Sequence, residues 1–196
     1  MNDTTRRLLL RVVVKLMLLA GIAATGYILF ASLDEEPQQA HTPAPLQLPL
    51  PPVQHPTVTR HPWAGGNLLL LQYPADAPVA YPPEARLFDP GSTQARQPAA
   101  LALPQRSLQR GVFLAYDRGT DMGCPLEWVA AGTRQGPIQP WPGGFRDTCR
   151  GSWYDAAGRV LRGQEAGRNL DIPPYRMLAP DLLEVGINGD NPASVK

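Results

Sequence analysis

The side chains with thiol or imidazole chemistry in this 196-residue chain are two cysteines and three histidines. The histidines, His41, His55 and His61, all fall within one proline-rich stretch. The cysteines, Cys124 and Cys149, lie in the C-terminal half, where there is no histidine. That half therefore lacks an imidazole base, a histidine metal ligand and a Cys–His nucleophile pair.

Composition and motifs exclude several further function classes. The formal net charge is +1, which gives no long-range field for attracting nucleic acid. The chain contains no G-x-S-x-G, H-E-x-x-H, C-x-x-C or Walker sequence, so common hydrolase, metalloprotease, redox and nucleotide-binding sites are not indicated. The 23 prolines favour many loops and few long helices. These features predict a protein that is not an enzyme and carries no cofactor.

Residues 16–33 carry no charged side chain and predict a transmembrane helix. At about 1.5 Å per residue this segment spans about 27 Å, close to the thickness of the hydrocarbon core. The preceding turns can extend the helix, since Arg11 and Lys15 can snorkel to the headgroups. A cleaved signal peptide is the alternative, but its apolar region would be only about 7–15 residues long. We expect residues 1–33 to form a tail and an uncleaved anchor.

Charge around this segment predicts its orientation. Four basic residues precede it and three acidic residues follow it: Arg6, Arg7, Arg11 and Lys15, then Asp34, Glu35 and Glu36. The positive end stays in the cytoplasm, which predicts a bacterial inner-membrane protein with a periplasmic C-terminal domain. In that oxidising compartment a Cys124–Cys149 disulfide is the default state. Arg6 and Arg7 also resemble a twin-arginine export signal, with a chance pair as the alternative.

Residues 34–62 contain eight prolines and predict an extended, polyproline-like linker. It is either a solvated spacer or a strap laid along a partner. The apolar residues Leu46, Leu48, Leu50 and Val53 are compatible with the strap, and both interpretations stay open. We interpret the three histidines here as ordinary linker residues rather than metal ligands.

Residues 63–196 predict an all-β domain of short strands and turns. Expected strands are 67–73, 111–117, 126–132 and 181–187, with a tight hairpin made by "GSWYD" and "GRVLR". Gly158 would supply the positive φ of its turn. Residues 74–110 show little periodicity and predict either a short helix or an irregular excursion. The large aromatic side chains predict core or interface packing: Trp128, Phe145, Trp141 and Trp153.

Two sequence boxes, "GTDMGCPLEW" (119–128) and "DTCRGSWYD" (147–155), resemble the Rieske iron–sulfur proteins of cytochrome bc1-type complexes. That family has C-T-H-L-G-C in the first box and C-P-C-H-G-S-x-Y-D in the second. The later "N-L" and "P-P-Y" of residues 158–175 also fit the family pattern, as do the membrane helix and the exported head. The resemblance implies an antiparallel β-sandwich head behind an N-terminal transmembrane helix. It does not extend to residues 74–110.

The same resemblance implies that all four cluster ligands have been replaced. The two cysteine and two histidine ligands of a Rieske centre match Gly119 and Asp147, and Asp121 and Arg150. The two disulfide cysteines of the family match Cys124 and Cys149 and are kept. Two hydroxyls that tune the cluster potential in the family match Ser152 and Tyr154 and would be structural here. The family's proline loop matches residues 165–167, where the prolines are lost.

We therefore expect a cluster-less Rieske-like domain that acts through protein contacts. The predicted role is a non-redox accessory, assembly or stabilising subunit of a respiratory membrane complex, either bc1-type or a terminal oxidase. Its partners would be the membrane and other subunits, with neither nucleic acid nor a small-molecule substrate. One alternative is a Rieske-type electron-transfer protein, and another is a periplasmic thiol–disulfide redox sensor. We also expect Asp121 and Asp147 to form ion pairs with Arg150, the alternative being three solvated loop charges.

Overall fold

The computed structural model describes residues 3–33, 43–101 and 104–186. The chain divides into two compact units, residues 1–41 and residues 42–196. The predicted acidic cluster Asp34–Glu36 and His41 lie outside the described residues.

The first unit is a single helix, α1 (Asp3–Leu33). Its segment Thr5–Phe30 is long and apolar enough to cross a membrane. Leucine, valine and isoleucine side chains are exposed around it, which suits a helix surrounded by lipid. The helix begins well before residue 16, as expected if Arg11 and Lys15 extend the span.

The second unit contains nine strands in three antiparallel sheets, each of three strands, within the described residues. The first sheet has the order β1-β9-β8, the second β2-β3-β4 and the third β5-β6-β7. The strand bounds, in chain order, are β1 Leu46–Pro49, β2 Thr57–Trp63, β3 Gly66–Gln72, β4 Val112–Tyr116, β5 Leu126–Val129, β6 Gly144–Asp147, β7 Trp153–Asp155, β8 Tyr175–Ala179 and β9 Leu182–Val185. The all-β prediction is confirmed.

The core forms around β3, whose leucines 68–71 are all buried. A strand with partners on both sides and both faces covered can be apolar without alternation. Phe113 of β4 packs against Phe145 of β6, with ring centroids 6.0 Å apart, so aromatic contact links two of the sheets. Trp128 meets Phe145 at 5.2 Å, and Trp141 meets Trp153 at 5.1 Å. The aromatic side chains therefore pack as the sequence predicted.

The proline-rich segment differs from the expected linker. Its described part supplies β1, which pairs with β9, and most of β2, which pairs with β3. Leu48 and Leu50 are buried in the core, so the apolar alternation belongs to this domain rather than to a strap for a partner. Both strands lie at the edges of their sheets, where proline is tolerated because the outer N–H has no strand to bond. Strand structure therefore begins well before the predicted boundary at residue 63.

The predicted hairpin is present. Asp155 of β7 donates its N–H to the Arg159 carbonyl, and Tyr154 forms a bridge with Val160. Gly158 has φ +67°, as expected, and a Cβ there would press on Phe113. The buried Asp155 carboxylate also accepts 2.8 Å hydrogen bonds from the N–H and Nε of Arg159. An internal ion pair thus fixes the turn.

The segment between β3 and β4 is irregular in its described part, apart from one 3₁₀ turn at Glu84–Arg86. Arg106, fully buried, ties it to the domain. Its guanidinium donates to the carbonyls of Ala157 and Gly158 at 3.0 Å and of Leu170 at 2.7 Å. Burial lowers the pKa of Arg106 to about 10, so the side chain stays charged at neutral pH. The segment is therefore an integral layer that covers the hairpin.

Candidate functional site: the disulfide-bridged loops

Two loops meet at one end of the sheet β5-β6-β7. The first connects β4 to β5 and carries Cys124, and the second connects β6 to β7 and carries Cys149. Leu126 of β5 pairs with Asp147 of β6. Cys124 lies two residues before Leu126 and Cys149 two residues after Asp147, so both cysteines lie at the same end of this strand pair. They form a disulfide, with their Cα atoms 6.0 Å apart. Strand register therefore positions the expected bridge.

The side chain of Asp147, at the end of β6, packs against Gly119 in the first loop. Asp147 is 1% exposed, and its Oδ1 accepts hydrogen bonds from the N–H groups of Cys149 at 2.8 Å and Arg150 at 3.0 Å. Its Oδ2 faces Gly119 so closely that a Cβ added there would collide with it. Oδ2 has no hydrogen-bond partner among the described residues. The carboxylate therefore fits because residue 119 has no side chain.

Arg150 lies at the surface between two acidic side chains. Its Nε is 3.3 Å from Oδ2 of Asp121, and its Nη2 is 2.9 Å from Oε2 of Glu165. The expected pair with Asp121 is present. The expected side-chain pair with Asp147 is replaced by the backbone hydrogen bond, because that carboxylate is turned into the interior. The contact with Glu165 has no signal in the sequence, although residue 165 lies in the segment that resembles the family's proline loop.

The two retained hydroxyls bond to protein groups. Ser152 Oγ accepts the N–H of Ala166 at 3.1 Å, which ties the former proline loop to the second box. Tyr154 Oη accepts the N–H of Thr120 at 3.1 Å and also contacts its hydroxyl at 3.1 Å. Burial raises the pKa of Tyr154 more than these hydrogen bonds lower it, so the phenol stays neutral. Both side chains thus link the loops of the site to one another.

The side chains at the four positions that the resemblance matches to cluster ligands do not fit a Rieske cluster. Such a cluster needs two thiolates on one iron and two neutral imidazoles on the other. Glycine has no donor, and the Arg150 cation is already paired with carboxylates. Asp147 fills the space beside Gly119, and Cys124 and Cys149 are bonded to each other. Sulfur ligands for iron are therefore lacking here.

The remaining predicted residues lie elsewhere. Arg6 and Arg7 are exposed on α1, and their role in export stays a prediction. His61, in β2, forms a 2.9 Å hydrogen bond with Thr59, and burial lowers its pKa. His55 lies in the loop before β2.

Comparison with known proteins identifies relatives that match most of the chain, while no family model matches it. The ubiquinol-cytochrome c reductase iron-sulfur subunit of Allochromatium vinosum is 26% identical over 90% of this chain and 87% of the relative. The subunit of the same name from Blastochloris viridis is 27% identical over 94% of each chain. The chain is a homologue of Rieske iron–sulfur subunits.

A mitochondrial relative adds a shorter and closer match. The Rieske subunit of the cytochrome b-c1 complex of Saimiri sciureus is 46% identical over 44 residues, which is 22% of this chain and 16% of that protein. The long matches show that homology includes most of the chain and not the two boxes alone. Together with the apolar N-terminal helix, this homology supports a single-pass, membrane-anchored protein.

Proposed function

We propose that this protein is a non-redox accessory or stabilising subunit of a bacterial respiratory membrane complex of the bc1 type. The observation that carries the proposal is the packing of Asp147 against Gly119. The resemblance matches these two positions to the family's cluster cysteines. A side chain that fills this space makes the site a closed joint between loops. The head would then act without the metal chemistry of its relatives.

The relatives' names guide the choice of partner. Two of them are iron-sulfur subunits of ubiquinol-cytochrome c reductase, and others belong to the cytochrome b-c1 complex. A chain that shares their anchor and head has the surfaces with which to occupy or adjoin the same place in a complex. This reasoning favours a bc1-type partner over a terminal oxidase. The proposed mechanism is protein–protein contact, by the helix within the bilayer and by the head on the periplasmic side.

The test is purification of the tagged full-length chain from its native membrane in mild detergent. We expect other subunits of one respiratory complex to co-purify in fixed ratio, identified by mass spectrometry. We also expect no iron that follows the chain, whereas a cluster would require two irons per chain. Two irons per chain with a rhombic paramagnetic signal on reduction would establish the electron-transfer alternative instead. Absence of any respiratory subunit would contradict the accessory role.

A further inference from the structure

Two sulfur atoms and one buried carboxylate oxygen meet where the loops join. The Sγ atoms of Cys124 and Cys149 and a carboxylate oxygen of Asp147 all lie within 4.8 Å of one another. Asp147 is almost fully buried, and its Oδ2 lacks a hydrogen-bond partner in the described part of the chain. A buried acceptor without a donor is costly, because it has lost water without gaining a protein partner. Cys149 is exposed, so a reductant can reach the bridge.

We propose that the reduced protein binds one zinc ion through Cys124, Cys149 and Asp147. Zinc accepts thiolate and carboxylate ligands, at about 2.3 Å and about 2.0–2.2 Å, and water completes the tetrahedron. Such a tetrahedron separates ligand atoms by about 3.3–3.8 Å. The three side chains already lie nearly that close, and the cysteine Cα atoms are 6.0 Å apart, so side-chain rotation separates the sulfurs sufficiently. The proposal goes beyond the accessory role, because it concerns a second state of the head.

Contacts independent of the S–S bond hold the two cysteines near each other. The N–H and Oγ1 of Thr148 donate to the Pro125 carbonyl at 3.1 and 3.0 Å, directly beside both cysteines. Oδ1 of Asp147 keeps its two backbone hydrogen bonds whatever the state of the sulfurs. The antiparallel pairing of β5 with β6 lies below both loops. The backbone that carries the three ligands is therefore held in place before the metal arrives.

Reduction comes first and zinc binding second. A dithiol reductant gives two electrons and two protons, the Cys124–Cys149 bond breaks, and the reductant becomes a disulfide. Zinc then replaces the proton of each cysteine thiol, so two protons leave as the ion binds. The site forms only while the bridge is open.

The test uses the full chain in detergent micelles, reduced with a phosphine that becomes a phosphine oxide as water supplies the oxygen. Cobalt(II) is the spectroscopic probe, and zinc displaces it from the site. We expect one cobalt per reduced chain, with a thiolate-to-metal absorption band, and no such band in the oxidised chain. Asp147→Asn should weaken metal binding at least about tenfold, because an amide oxygen replaces a carboxylate. Glu127→Gln removes an exposed carboxylate from β5 and should change affinity less than about twofold.

Tryptophan fluorescence reports whether the reduced head is folded, since all four tryptophans lie in the second unit. A folded reduced chain that binds one metal ion, with the Asp147→Asn loss and an unchanged Glu127→Gln, supports the site. Equal affinity of Asp147→Asn and the wild type would overturn it, as would binding by the oxidised chain. A reduced chain that unfolds or binds no metal would overturn it too. None of these readouts depends on iron or on a partner subunit, so this test and the purification test fail separately.

Discussion

Gly119 and Asp147 are sterically complementary, because the Asp147 carboxylate fits only where residue 119 has no side chain. The Asp147 carboxylate needs the space above the Gly119 Cα, and the N–H groups of Cys149 and Arg150 hold it there. A pair of cysteines at these positions would point two thiols into the same volume. At the residue scale, Gly119 and Asp147 form a packing contact between the loops, at positions that the resemblance matches to cluster ligands.

We expect Gly119→Ala to destabilise the head by about 1–3 kcal/mol, the usual cost of forcing an extra methyl group into a filled space. The new Cβ collides with Asp147 Oδ2, whose partner oxygen is fixed by two hydrogen bonds. Urea unfolding of the full chain, followed by tryptophan fluorescence, measures the change. Gly167→Ala is the matched control, because a Cβ there meets no atom within 4 Å. Equal stability of the two variants would contradict the packing described here.

Arg150 should act through its charge and only weakly. Its side chain is 45% exposed between Asp121 and Glu165, so neutral Arg150→Gln should cost at most about 1 kcal/mol. Arg150→Glu should cost clearly more, because it places a third negative charge beside two others. Unfolding of both variants at low and at high salt tests this expectation, since salt should reduce the difference between their free energies of unfolding. If both variants unfold alike at low salt, the three side chains are independent loop charges.

At the element scale, the sequence predicts strands wherever a strand has a local signal. The leucine run of β3, the alternation of β4 and the turn at Gly158 are each contained within a few consecutive residues. The strand signal of β1 and β2 is obscured by proline, because the sequence alone does not distinguish a proline at a sheet edge from a proline in a spacer. Their pairing with β9 and β3 depends on contacts distant in sequence.

The site shows the same division between local and distant information. The disulfide could be predicted, since the two boxes carry a family pattern, and the replaced ligand positions stay a prediction. The inward turn of Asp147 and the reach of Glu165 to Arg150 could not, because they depend on how three separate loops pack. Arg106 gave no signal either. Its carbonyl partners are more than fifty residues away in the chain.

Arg106 makes the long segment between β3 and β4 a structural element. Arg106→Met should destabilise the head by about 3 kcal/mol or more, because three buried carbonyls lose their donors together. Arg106→Lys should recover little, since one ammonium cannot reach carbonyls arranged for a planar fork. Exposed Arg110→Met is the control and should stay within about 0.5 kcal/mol of the wild type. Urea unfolding provides the measurement, and a small Arg106→Met effect would mean that the segment is dispensable for stability.

The sheet β1-β9-β8 contains an acid-sensitive contact. Hydrogen bonds from Gln47 and then Arg176 lower the pKa of Glu184 below its ordinary value of 4.5. A folded-state pKa below the unfolded one stabilises the head above pH 4.5, and this stability is lost as the pH falls through the folded value.

Glu184→Gln should therefore weaken the head at neutral pH and flatten its loss of stability on acidification. Urea midpoints from about pH 6 to about pH 3 provide the comparison. Asp181→Asn, an exposed carboxylate in the turn before β9, serves as the control and should keep the wild-type pH profile. A Glu184→Gln profile parallel to the wild type would refute the contact's role.

At the scale of the whole molecule, the apolar helix suits a lipid bilayer, and the disulfide-containing head suits an oxidising aqueous compartment. A disulfide persists where the compartment is oxidising, which supports the proposal that the head lies outside the cytoplasm. The basic residues before the apolar segment and the acidic ones after it favour the same orientation. The disulfide and the flanking charges thus support the same proposed orientation by independent arguments.

A reporter at the C-terminus tests that topology. Alkaline phosphatase, which needs periplasmic disulfides, should be active when fused after residue 196. Replacing both Arg6 and Arg7 with lysine preserves the positive charge, so a charge-driven orientation should survive the change. The twin-arginine signal is instead read by a receptor, so the same change should abolish phosphatase activity if that route exports the head. Because the paired lysines separate charge from motif, an active double variant would reject the twin-arginine prediction while keeping the orientation. An inactive wild-type fusion would reject the orientation itself.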